Sequence, residues 1–89
     1  MIRENITIIN KLGLHARAAS VFVKTANKFE SKIKVSNSKI HADGKNILSL
    51  MMLEAAVGND LTLTIEGPDK LEAMEALVRL IEDRFGESD

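Results

Sequence analysis

Apolar and polar residues alternate in four short segments of this 89-residue chain, which is the pattern of strands with one buried face. These segments are residues 2–9, 32–36, 39–42 and 61–66. Asn37 and Ser38 lie between the second and third segments and predict a tight hairpin turn. The alternation within each segment predicts a sheet with one covered face and one open face.

Three other segments carry apolar residues at helical spacing. The first spans residues 16–29, and the last begins at Asp69, where Glu72 completes a predicted capping box, and ends at Gly86. The buried stripe of that last helix is predicted to comprise Leu71, Met74, Leu77, Val78, Ile81 and Phe85. A shorter apolar run at 47–53 predicts a brief helix with Asn46 as its N-cap and Gly58 as its C-cap.

The connections are too short for a second domain, so residues 1–89 are predicted to form one α+β domain. Its elements follow the order βαββαβα, and the sheet is predicted to be four-stranded and mostly antiparallel. We expect the first and last helices, which have the strongest apolar stripes, to pack on the sheet.

Composition narrows the classes of function. The formal net charge is −1 and none of the three phenylalanines lies on a predicted strand, so nucleic acid is not an expected partner. The absence of cysteine excludes disulfides and thiolate metal sites, and we expect neither a metal nor another cofactor. No stretch approaches the roughly 20 apolar residues of a membrane span, and the first residues lack a hydrophobic signal core. We therefore expect a cytoplasmic protein without stable membrane association.

His15 is the main candidate for chemistry because it lies where an extended segment gives way to the first helix. The first amides of a helix have no intrahelical partner, so the N–H groups of Ala16, Arg17 and Ala18 can point at an anion on that ring. A charge-assisted hydrogen bond from Arg17 contributes about 1.5–3 kcal/mol, against about 0.3–1 kcal/mol from the helix dipole. His15 and Arg17 are therefore the predicted catalytic pair for a phosphoryl group. The alternative is that His15 only caps the helix or lies idle on the surface.

The segment Leu12-Gly13-Leu14-His15-Ala16-Arg17 closely resembles the active-site segment of HPr proteins, the histidine phosphocarriers of the phosphoenolpyruvate-dependent phosphotransferase system. Chain length, element order and the segment Lys45-Asn46-Ile47-Leu48 extend the resemblance over the whole chain. It implies an open-faced β-sandwich with three helices on one face. It also implies that enzyme I phosphorylates His15 on Nδ1 and that the group passes to an enzyme IIA component. We expect a monomeric transfer component and not a stand-alone enzyme.

The short second helix is apolar nearly all the way round, so a small domain cannot enclose all of it. Leu50 and Leu53 are predicted to complete the core. Because the resemblance implies that this helix lies beside His15, we expect its other apolar residues to contact partners within a basic rim on the first helix. The predicted partner-binding set is Ser20, Lys24, Lys28, Ile47, Leu48 and Met51. The alternative is that these lysines form an ordinary solvated face.

Two positions depart from the family pattern. Ala18 stands where HPr proteins usually have proline, which leaves one more free amide. Asn46 stands where many members have a serine that an ATP-dependent kinase phosphorylates, so that regulation is not expected. Members of the nitrogen-related branch resemble this chain in having asparagine there, so a regulatory output is an alternative to sugar uptake. A noncatalytic metabolite- or protein-binding module on the same scaffold is the alternative from another class.

Overall fold

A computed structural model describes all 89 residues, which form four strands and three helices in the predicted order. The strands are β1 (Ile2–Thr7), β2 (Lys32–Ser36), β3 (His41–Asp43) and β4 (Asp60–Glu66). The helices are α1 (Ala16–Ala26), α2 (Ile47–Met51) and α3 (Lys70–Glu82), and a tight turn at Arg84–Gly86 follows α3.

The strands form one antiparallel sheet in the order β1-β4-β2-β3. The register pairs Ile6 with Leu61 and Val35 with Leu63, so apolar residues of neighbouring strands fall on the same face. Lys34 pairs with Thr64 on the opposite, polar face. This arrangement confirms the predicted α+β fold with one open face.

The core fills the space between the covered face of the sheet and the helices. Phe22 of α1 and Leu77 of α3 belong to the same buried cluster as Leu63 of β4. Burial of a side chain of this size contributes about 1.5–3 kcal/mol, so the cluster is the main force that holds the helices on the sheet. Leu50 and Leu53 join the cluster, as predicted.

Two predicted segments end earlier than the sequence pattern indicated. β1 ends at Thr7 and not at residue 9, because Thr7 pairs with Asp60, the first residue of β4, and Ile8 hydrogen-bonds instead to Gly58 and Asn59 in the loop before β4. α1 ends at Ala26 and not at residue 29, because the N–H groups of Lys28 and Phe29 bind carbonyls only three residues back.

The third strand begins two residues later than the sequence pattern predicts. Its hairpin turn extends beyond Asn37 and Ser38, because Asn37 Oδ1 accepts hydrogen bonds from the N–H groups of Lys39 and Ile40 at 2.8 and 2.7 Å. Those two residues are therefore occupied by the turn, and β3 starts at His41. His41 is exposed on the strand, as predicted.

Asn46 caps α2 as predicted, since its side-chain oxygen accepts a hydrogen bond from the N–H of Ser49 at 2.9 Å. The predicted end of this helix is wrong. α2 stops at Met51, and Gly58 lies in the following loop, where its N–H binds the carbonyl of Ile8 at 2.7 Å. The apolar run continues past Met51 because Leu53, which lies in the loop after α2, is also buried.

The predicted capping box at the start of α3 is also wrong. The Asp69 carboxylate makes no capping hydrogen bond, and instead accepts hydrogen bonds from the N–H groups of Glu30 and Ser31 and from the Ser31 hydroxyl. It thereby fastens the start of α3 to the segment that follows α1. Leu71, predicted to be buried, is 66% exposed because it lies to the side of the buried face of α3, which is formed by Ala73, Met74, Leu77 and Ile81.

The chain reverses after α3. Arg84, Phe85 and Gly86 all have positive φ angles, and the two residues with side chains cost about 1–2 kcal/mol each in that conformation. Phe85 is buried, as predicted, and its burial offsets part of this cost. α3 therefore ends at Glu82, before the predicted stop at Gly86, and the reversal sends the last residues back towards α1. At 13 residues α3 is the longest helix, and no helix meets the length and apolarity that a membrane span requires.

Replacement of Asp69 by asparagine is expected to lower stability near neutral pH. Hydrogen bonds, foremost that from the Ser31 hydroxyl, hold the pKa of Asp69 below its ordinary value of 3.8. A carboxylate with a lowered folded-state pKa stabilises fully above its unfolded pKa and loses this effect as pH falls through the folded value. At about pH 7 the urea midpoint of the native protein should be higher than that of Asp69→Asn. Near about pH 2 the two midpoints should be equal.

The matched control for that measurement is Asp83→Asn. Asp83 is exposed at the other end of α3, and its side chain makes no capping hydrogen bond. Its urea midpoint should follow that of the native protein at both pH values. Equal losses in the two variants would show that the Asp69 hydrogen bonds carry no particular stability.

Candidate functional site

His15 is the N-cap residue of α1 and has an extended backbone, with φ −81° and ψ −178°. Its carbonyl accepts the first helical hydrogen bond, from the N–H of Ala19 at 2.8 Å, but its side chain makes no capping hydrogen bond. The imidazole is 29% exposed. The ring is therefore positioned by the helix start without being used to cap it, which disagrees with the alternative of a simple cap.

The amides next to the ring have no acceptor in the structure. No hydrogen bond involves the N–H of Ala16, Arg17 or Ala18, as expected for the first turn of a helix. Ala16 and Arg17 are exposed, whereas Ala18 has no exposed surface. The Arg17 guanidinium makes neither an ion pair nor a side-chain hydrogen bond, and the residue lines an open recess beside the C-terminal segment. The anion-binding roles of these residues stay predictions.

Glu87 is the residue at this site that sequence reasoning missed. Its Oε2 lies 2.6 Å from Nε2 of His15, although the two residues are 72 positions apart in the chain. The Glu87 side chain is only 10% exposed. The one available signal was an acidic residue directly after Gly86, where the chain can turn back, and nothing in the linear pattern connects it to His15.

Asn10 holds the Glu87 carboxylate in place. Asn10 is fully buried, and its Nδ2 donates to Glu87 Oε1 at 3.0 Å and to the carbonyl of Gly13 at 2.8 Å. The hydrogen bond from Asn10 is the largest cause that lowers the pKa of Glu87 below its ordinary value of 4.5. Desolvation acts in the opposite direction, and His15 and Arg17 lower the pKa further. Glu87 is thus an ionised acceptor at neutral pH.

Gly13 brings the turn before His15 against the loop that follows α2. Its φ is +69°, and a Cβ atom there would lie 2.5 Å from the carbonyl oxygen of Ala55. The same oxygen accepts a hydrogen bond from the N–H of Leu14 at 2.8 Å. Only glycine fits this approach, which connects the α2 region to the His15 site.

The predicted partner-binding residues are all on the surface. Ser20, Lys24 and Lys28 are exposed on or just beyond α1. Ile47, Leu48 and Met51 are exposed on α2, with Leu48 at 74%. Met52, which is not among the predicted partner-binding residues, extends this apolar surface. The exposure agrees with the prediction, whereas contact with partners stays a prediction.

No group of acidic residues, histidines or cysteines in the structure has the arrangement of a metal site. The largest hollow lies on the open face of the sheet, lined by residues of β2 and β3 such as Lys34 and His41, and does not include His15. The fold and the exposed ring define a class of small open-faced β-sandwich proteins that present one histidine at a helix start.

Comparison with known proteins then gives the family. A family model described as "PTS HPr component phosphorylation site" matches residues 2–83. A phosphocarrier protein HPr from Cupriavidus necator is 47% identical over 89 residues, the full length of both chains. The crystal structure of HPr-C-His from Thermoanaerobacter tengcongensis matches with a TM-score of 0.95 and 46% identity, covering 100% of both chains. The chain belongs to the HPr family, the phosphocarriers of the phosphotransferase system.

A second structure from Thermoanaerobacter tengcongensis is described as an HPr dimer. It matches with a TM-score of 0.78 and 47% identity, covering 98% of this chain and 100% of that one. The oligomeric state of the present protein therefore stays a prediction.

Replacement of Gly13 by alanine is expected to destabilise the protein by at least about 2 kcal/mol, because the new methyl group meets the Ala55 carbonyl. Gly58→Ala is the matched control. Gly58 also has a positive φ, +89°, but a Cβ there meets no atom within 4 Å, so only about 1 kcal/mol of backbone strain is expected. Denaturant unfolding measures both, and equal losses would contradict the importance of the Gly13 approach.

Proposed function

We propose that this protein accepts a phosphoryl group on His15 from phospho-enzyme I and passes it to an enzyme IIA component. The observation that carries the proposal is the arrangement at the start of α1, where a partly exposed imidazole adjoins amides without acceptors. The unpaired guanidinium of Arg17, two residues after His15, supplies a positive charge that also acts on Glu87 at the same site. Family membership supports the same chemistry.

The transfer needs alignment and charge neutralisation more than bond-making groups from the protein. A ring nitrogen attacks phosphorus, the bond from phosphorus to the donor atom breaks, and its electron pair stays on the donor. The phosphoryl oxygens then accept hydrogen bonds from the Ala16 and Arg17 amides and from the Arg17 side chain. Arg17 can move onto the phosphate without breaking an existing ion pair.

Docking is proposed to use the exposed apolar surface of α2 with the basic residues of α1 around it. Ile47, Leu48 and Met51 form the apolar part, and the hydrogen bond from Leu14 to Ala55 ties the end of the α2 region to the His15 turn. Lys24 and the other rim charges would chiefly affect the rate of encounter with acidic partners.

The proposed acceptor is an enzyme IIA component of the phosphotransferase system, with a nitrogen-related regulatory acceptor as the alternative. Asn46 is the observation behind this alternative, because its side chain caps α2 through Ser49 and offers no hydroxyl to a serine kinase. Ser49 is no substitute, since its hydroxyl oxygen accepts the N–H of Asp43 at 2.8 Å. Transfer from the phosphorylated protein to purified enzyme IIA domains of both types discriminates between the two. We further propose action as a monomer in the cytoplasm, where phosphoenolpyruvate is available.

Incubation with phosphoenolpyruvate and enzyme I should add one acid-labile phosphoryl group, detected by intact mass. His15→Ala should remain unmodified, because the other histidine, His41, lies on a strand and not at a helix start. Arg17→Ala should be phosphorylated about 10- to 100-fold more slowly, the loss expected for one charge-assisted hydrogen bond. His41→Ala, which changes the other exposed histidine, is the control and should behave as the native protein. Modification that persists in His15→Ala would defeat the proposal.

Replacement of Leu48 by glutamate is expected to raise the KM for phospho-enzyme I about tenfold, by placing a charge in the apolar docking surface. Leu71→Glu is the matched control, since Leu71 is similarly exposed. Leu71 lies about 17 Å along α3 from the end that leads to Glu87. Steady-state phosphorylation should show an unchanged KM for Leu71→Glu, and equal effects would place docking elsewhere.

A further inference from the structure

We propose that Glu87 is a positioning residue for the transfer, whose carboxylate holds His15 in the tautomer with the proton on Nε2 and the lone pair on Nδ1. This inference rests on the proposed function and names the group that selects the reacting nitrogen. Glu87 touches the ring on the side away from the reacting atom and acts only through His15.

The contact itself determines the position of the proton. An ionised carboxylate can only accept a hydrogen bond, so the 2.6 Å contact between Glu87 Oε2 and His15 Nε2 requires a hydrogen on Nε2. The hydrogen bonds from Asn10 and His15 both keep Glu87 ionised at neutral pH. In a neutral ring with its proton on Nε2, Nδ1 carries the lone pair, and no protein group hydrogen-bonds to Nδ1.

The carboxylate is itself fixed before any partner arrives. Asn10 binds its second oxygen, so both oxygens have defined donors. After Glu87, the segment is held by a hydrogen bond from the N–H of Lys11 to the backbone oxygen of Asp89 at 2.7 Å. Before Glu87, it is held by a hydrogen bond from the N–H of Glu87 to the carbonyl of Arg84 at 2.9 Å. Both attachments make the C-terminal segment part of the site.

This arrangement leaves no proton to be moved during transfer. The new bond forms between phosphorus and Nδ1, the bond between phosphorus and the donor breaks, and the donor keeps that electron pair. The proton on Nε2 stays hydrogen-bonded to Glu87, which stabilises the positive charge that the ring gains. Return of the phosphoryl group to an acceptor follows the same path in reverse.

Replacement of Glu87 by glutamine tests this role because size and hydrogen-bonding reach are kept. A carboxamide can accept through its oxygen or donate through its nitrogen, so it permits either ring tautomer. In a His41→Gln background, nitrogen NMR of the labelled neutral His15 ring should show one tautomer in the parent and at least about a threefold rise of the other tautomer in Glu87→Gln. Phosphorylation by phospho-enzyme I should slow about tenfold in kcat, with KM within about twofold. Glu87→Ala, which removes the contact, should show both effects.

Asp83→Asn is the matched control. It removes a negative charge four positions away, and the exposed Asp83 side chain makes no capping hydrogen bond. Its tautomer distribution and kcat should equal those of the native protein. If the native protein is phosphorylated but Glu87→Gln leaves the tautomer distribution and kcat unchanged, this inference alone is overturned, as it is by an equal loss in Asp83→Asn. A native protein that phospho-enzyme I leaves unmodified would overturn the proposed function as well.

Discussion

The geometry of the site depends on one buried amide group, that of Asn10. Its nitrogen donates both of its hydrogens, one to the Gly13 carbonyl in the turn before α1 and one to the Glu87 carboxylate after α3. A buried donor left unpaired costs about 1–3 kcal/mol, so neither segment can move away freely. The Asn10 oxygen makes no hydrogen bond to another protein group, so both side-chain contacts of Asn10 at this site are made by its nitrogen.

Hydrogen bonds of carboxylate side chains connect α1 to α3 at both ends of the two helices. Asp69 at the start of α3 binds the N–H groups of Glu30 and Ser31, shortly after α1 ends. Glu87, beyond the end of α3, binds His15 where α1 begins. Apolar burial holds the two helices on the sheet but allows some sliding, whereas directional hydrogen bonds at each end fix their relative position. The orientation of the His15 ring therefore depends on the hydrogen bonds at both ends of α1 and α3.

A carrier has to present the same histidine to a donor and then to an acceptor, and this fold does so by keeping the histidine at the edge of the domain. Ala16 and Arg17 in the first turn of α1 are exposed, and their amides have no hydrogen-bond acceptor in the structure. α2 is too short to bury its apolar residues on all sides, and Ile47, Leu48 and Met51 remain exposed on it. The residues proposed for phosphoryl binding and docking therefore lie at the ends and on the exposed faces of helices, without an enclosing pocket.

The sequence by itself determined the order of elements and the sheet with one open face, and it predicted His15 and Arg17 as the residues that hold the phosphoryl group. Those features follow from residue periodicity and from the local chemistry of a helix start, which extend over a few neighbouring positions. It did not determine where α2 ends, that Asp69 binds Ser31, or that Leu71 is exposed, because each depends on what packs against the chain from elsewhere. The pairing of His15 with Glu87 is the clearest case. It joins residues 72 positions apart, and only the reversal of the chain after α3, with Asn10 to receive it, brings a carboxylate to that ring.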